Sequence, residues 1–231
     1  MKRVVASALV VVLSVSLLAP VAAHHVGVFI PKDDDITKNF KDIKFAGQAG
    51  RFDVALKLFD DGIVHATMEK EEKSLPRGLE DGLRASLNAK DLPGVELRLT
   101  IVLAFLTKIR VRDAMGKLRV PDLSPERQRE HARKLLDAAW RYYNLADFAL
   151  SRQDAKAAVA LRMAFEDAYT YLGGMMVDPM WAAGAKVRPS EPDAGGAEAA
   201  LAEIVNTIEK FIVDGSAVAR AGGAKRFLPR Q

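Results

Sequence analysis

The chain has 231 residues, with 34 Lys and Arg against 30 Asp and Glu, and no Cys. Without Cys there is no disulfide, no thiol nucleophile and no lipid anchor on a cysteine, so packing has to hold the fold. The weak basic excess forms no concentrated stripe, which argues against nucleic acid as a partner.

Residues 1–23 read as a leader. Lys2 and Arg3 make a charged start, Val4 to Leu18 is apolar, and Val21-Ala22-Ala23 offers small residues at a cleavage site. The apolar run is shorter than the roughly 20 residues a spanning helix needs, so cleavage is expected, with no membrane span after processing. Removing Lys2 and Arg3 leaves 32 basic against 30 acidic residues, and the 208 that follow are enough to bury a core. The expected location is the periplasm, or outside the cell.

After the leader, residues 24–34 are expected to form an extended arm, with Val26–Ile30 ended by Pro31 and Asp33-Asp34-Asp35 capping the first helix. Apolar spacing predicts helices at about Ile36–Ala49, Asp53–Lys73, Leu79–Ala89 and Val95–Met115. The last of these is apolar almost all round from Leu97 to Leu106 and is expected to be the most buried. Ser124-Pro125 opens a helix to about Leu150, and Gln153-Asp154 turns the chain into Ala155–Leu172, which Gly173-Gly174 stops. Residues 35–174 are thus expected to be a helical-hairpin domain and 175–196 a Met, Pro and Gly loop and linker. Residues 197–222 are expected to be an amphipathic helix and 223–231 a tail.

Within that plan, Gly50–Ile63 (GRFDVALKLFDDGI) and, more loosely, Asn144–Phe165 resemble the helical hairpins of tetratricopeptide repeats. Each has a short turn and then a small residue, Ala55 or Ala158, where two helices must approach closely. The resemblance implies binding of a protein or peptide. The fold class expected is all-α: antiparallel hairpins forming an irregular helical bundle or a short repeat-like array of about seven helices.

The sequence has no GxSxG, HExxH, phosphate loop or GxGxxG, so a non-catalytic binding role is expected. The residues suited to metal are few. Cleavage after Ala23 would place a free amine and an imidazole together on His24, with His25 beside it, a set suited to Cu(II). His65 shares a predicted helix face with Asp61, Met68 and Glu69, and His131 lies early in the helix capped by Ser124. Met175, Met176 and Met180 offer soft thioethers suited to Cu(I), or plug the end of a hairpin. Two functions follow as expectations: a periplasmic metal-binding protein, copper before iron, or a helical scaffold docking a periplasmic protein.

Overall fold

A computed structural model describes residues 32–174 and 191–222. They form eight helices and, among the described residues, no strand: α1 (Asp35–Gln48), α2 (Phe52–Asp60), α3 (Ile63–Lys70), α4 (Leu79–Asn88), α5 (Leu92–Lys117), α6 (Pro125–Gln153), α7 (Ala155–Tyr171) and α8 (Ala194–Arg220).

The sequence dictates most of the ends. Asp34 caps α1 by accepting the Thr37 N–H at 2.9 Å. Ser124 and Asp154 do the same for α6 and α7. Gly173, at φ 72°, takes the left-handed conformation that stops α7, and Gly174 N–H returns to the Tyr169 carbonyl at 2.8 Å.

Four long helices make the body. α5 packs on α6, α6 on α7, α7 on α8, and α8 closes the ring on α5. Side chains fix the directions. Arg98 donates to the Ala219 carbonyl at 2.8 Å, Lys108 Nζ lies 2.7 Å from Glu209, and Arg119 grips Glu198 at 3.0 and 3.1 Å. Rising numbers along α5 meet falling numbers along α8, so the two are antiparallel. On α6 and α7, the pairs Arg133–Gly173, Asp137–Tyr169 and Asp147–Arg162 show the same reversal. The closed ring is a helical bundle; in a repeat array each hairpin would touch only its neighbours.

α5 is the centre. From Leu99 to Lys108 no residue is more than 7% exposed, because α6, α8, α4 and α1 all lie against it. Between α6 and α7 the rings of Trp140, Tyr143 and Phe165 sit 5.1 to 5.3 Å apart, at offset or tilted angles that favour aromatic pairs. Ala55 and Ala158, the small residues of the two hairpins, are 0% and 1% exposed.

Two expectations need correcting. The single helix expected over Asp53–Lys73 is two, which is why there are eight helices rather than seven. At Gly62 the chain leaves α2 and restarts, with Asn39 of α1 bonding both the Leu58 carbonyl and the Val64 N–H. α8 also begins inside the expected linker, at Ala194, capped by Asp193. Gly195 and Gly196 are helical there, and a Cβ at Gly196 would lie 2.9 Å from the Tyr171 ring. The expected arm at Val26–Ile30 lies outside the described residues.

Candidate functional site

His65 stands one turn into α3, its side chain 16% exposed. Nδ1 lies 3.2 Å from the carbonyl of Asp60, the last residue of α2. Nε2 lies 3.0 Å from Glu80 Oε1 in the first turn of α4, 3.8 Å from Glu69 and 3.2 Å from Arg84 Nη2. Arg84 also pairs with the Asp60 carboxylate, and its guanidinium lies over the Phe59 ring, which tilts against His65 at 5.0 Å.

A carbonyl only accepts, so the bond to Asp60 needs the proton on Nδ1. Nε2 then accepts from Arg84 in the neutral ring, or donates to Glu80 in the imidazolium. Both nitrogens are therefore engaged within the fold, and a guanidinium sits where a second cation would have to approach. The arrangement ties α2, α3 and α4 together. Asp61, expected on the His65 face, is instead the exposed C-cap residue just past α2, and the break at Gly62 removes the continuous helix that would have aligned them. Met68 is 1% exposed, its side chain committed to the core.

His131 is half-buried on α6, which packs on α5 and α7, whereas α3 packs on α1 and α2. The neighbouring Glu130 pairs with Lys134 at 2.7 Å, and that bond holds its carboxyl below the usual range. Among the described residues there is no group of three His, Asp or Glu placed to hold a metal ion. His24, His25, Met175, Met176 and Met180 lie outside the described residues.

Sequence reasoning missed a set of tyrosine–carboxylate bonds, one within α6 and two that tie α6 to other elements. Tyr142 donates to Asp34 at 2.9 Å beside Arg141, Tyr143 to Asp147 at 2.6 Å, and Tyr169 to Asp137 at 2.6 Å. Burial first, and then the adjacent carboxylate, pushes Tyr142 up to about 12 and also raises Tyr143 and Tyr169. The only signal was a Tyr on an otherwise apolar helix face, since the acids lie far away in sequence or on the next turn.

The α6–α7 hairpin also carries an apolar outer face. Phe148 is 62% exposed, Val159 51% and Met163 59%. Phe148 and Met163 each follow one residue after the bridge between Asp147 and Arg162. One residue turns a helix by about 100°, and in antiparallel neighbours that step carries both side chains to the same side of the pair. Val159 lies one turn before Met163 and joins them. Arg152 covers part of the Phe148 ring at 5.5 Å.

Compared with known proteins, the chain matches no family model, no curated protein and no solved structure. No described helix is long and apolar enough to cross a membrane.

Proposed function

We propose that this chain is an exported, non-catalytic binding protein that docks a protein partner on the outer face of its α6–α7 hairpin. One observation carries the reading: three large apolar side chains, Phe148, Val159 and Met163, share one face of two rigidly joined helices and are each more than half exposed. Single exposed apolar residues are ordinary, but several on one side of a packed hairpin are what a docking surface requires. The same stretch carries the tetratricopeptide-like pattern, which points to the same class of function.

The test places a photo-crosslinking amino acid at position 148, and at exposed Lys134 on the same helix as a control, in cells that export the protein. One discrete adduct from position 148, absent at 134 and lost when Met163 becomes Glu, supports docking here. Equal adducts from both positions, or none from 148, refute it.

A second reading, copper binding, rests on His24 with its free amine, with His25 beside it and Met175, Met176 and Met180 elsewhere in the sequence. Iron is less favoured, because thioether and imidazole donors suit copper better. His65 is engaged within the fold and Met68 is buried, so this reading leans on His24 and His25, with His131, Met175, Met176 and Met180 as further candidate donors.

A further inference from the structure

Away from the hairpin face, a cavity of about 220 Å³ opens between α5, α8 and the segment that joins α3 to α4. Leu75, Pro76 and Ile212 form its apolar wall, and Lys108, Glu209 and Ser216 its polar side. Lys108 and Ser216 are each 7% exposed, so these are buried polar groups rather than surface side chains that happen to lie near a dent.

Ser216 is the telling residue. Helix hydroxyls ordinarily satisfy themselves on the carbonyl one turn back. Here Thr100 bonds to Glu96, Thr107 to Leu103 and Thr67 to Ile63, at 2.7 to 2.9 Å. Ser216 does not: its buried Oγ has no protein partner, although it lines the cavity. A buried hydroxyl left unbonded is costly, and native proteins keep few of them.

The charges define what would fit. Lys108 Nζ pairs with Glu209 Oε2 at 2.7 Å and lies 5.2 Å from the centre of the Phe105 ring. An ammonium has three N–H groups, and one carboxylate leaves some of them for another acceptor. Arg112 lies 3.8 Å from the same Glu209 oxygen, and Arg220 lines the cavity as well. Lys108 and Arg112 thus share one carboxylate, Glu209, and Arg220 adds a further cation to the cavity's lining. The volume is below the usual range of roughly 300–1,000 Å³ for drug-sized ligands.

We infer that this cavity is a binding site for a small organic carboxylate, whose charged end bonds Lys108 and the Ser216 hydroxyl while its apolar body lies on Leu75, Pro76 and Ile212. Such a ligand would satisfy the unbonded hydroxyl once the serine side chain turns into the cavity, and would balance the one cation by which Lys108 and Arg220 outnumber Glu209 in the lining. The site is separate from the hairpin face and stands or falls independently of the docking proposal.

Benzoate and its neutral counterpart benzamide, titrated into the exported chain and followed by backbone amide NMR, test this. Benzoate should give saturable shifts centred on Leu75, Val213 and Ser216, with benzamide at least about tenfold weaker, as expected for loss of a charge-assisted bond. Ser216→Ala, which removes only the hydroxyl, should weaken benzoate several-fold, and Arg220→Gln on the open side should do so without touching the buried Lys108. No saturable shift with benzoate would overturn the site. So would equal binding of benzamide, or benzoate binding unmoved by both variants.

Discussion

Asn39 holds the chain break at Gly62 from both sides. Its side-chain N–H donates to the Leu58 carbonyl at 2.9 Å, and its side-chain oxygen accepts the Val64 N–H at 3.0 Å. One amide thereby serves the end of α2 and the start of α3. Gly62 is required at the joint, because a Cβ there would run into both the Leu58 carbonyl and the Asn39 side chain. Gly62→Ala should therefore cost roughly 1–3 kcal/mol through overpacking. Asn39→Ala should cost a similar amount, about 1–3 kcal/mol, by leaving two backbone groups without their partner. Denaturant unfolding of the two variants and the double checks this. Because both act at one joint, the double should cost less than the sum, and full additivity would count against the coupling.

That joint also shows where the sequence stops being readable. Gly50, Pro93, Ser124, Asp154 and Gly173 act through neighbours a few residues away, so their turns and caps could be read directly. The burial of α5 was readable too, since apolar residues cover its whole circumference. The break at Gly62 was not, because Val64 and Met68 continue the helical spacing and the residue that interrupts it, Asn39, sits 25 positions before Val64. His65 illustrates the same limit for the site. Its neighbours by helix spacing are Asp61 and Glu69, but its closest partners come from Asp60, Glu80 and Arg84. Which side chains a fold brings together across helices is set by packing, which single-helix periodicity does not record.

Asp34 should make the fold acid-sensitive. Burial alone would raise its carboxyl, but hydrogen bonds from Thr37, Tyr142 and Arg141 outweigh this and hold it below the usual range. A carboxyl lowered on folding contributes stability above its unfolded pKa, about 3.9, and that stability is lost as pH falls through the folded value. Urea midpoints should thus fall below about pH 4, more steeply than in Asp34→Asn, which keeps a capping oxygen without the charge. Tyr142 acts at the other end. Raised to about 12, it contributes stability that is intact below its unfolded value of about 10 and disappears between the two. Tyr142→Phe should flatten the alkaline slope, and parallel profiles for wild type and both variants would remove this cluster from the account.

Ala55 and Ala158 should tolerate no larger side chain. Both are essentially buried, Ala55 in the α1–α2 pair and Ala158 where its carbonyl accepts from the Tyr143 hydroxyl at 3.2 Å. Replacing either by Leu should cost roughly 1–3 kcal/mol, as extra methyl groups force the helices apart. Thermal unfolding measures this. The Ala158 change should also loosen the bond between Tyr143 and Asp147, so its tyrosines should ionise at lower pH than those of the Ala55 variant. Unchanged midpoints for both would show that neither position is a close contact.

Copper binding, if it occurs, should depend on the amino terminus and not on His65. A free α-amine titrates near pH 8 and imidazole near 6.5, and both must lose a proton to bind metal, so Cu(II) affinity of the chain beginning at His24 should rise between about pH 5 and 8. Extending the chain by one residue moves the amine away from the His24 imidazole and should weaken binding. It also puts His25 in third place, where an amine, two amides and an imidazole can build a square-planar site, and a second added residue puts His24 there, so a three-residue extension is needed as the control. His24→Ala should weaken binding more than His131→Ala. His65→Ala should leave copper affinity unchanged while lowering stability, because its ring is bonded to Asp60 and faces Glu80. Calorimetric titration of these proteins with Cu(II) decides the matter. Equal affinity in the native and three-residue-extended chains would remove the terminal site, and with it the main footing of the copper reading.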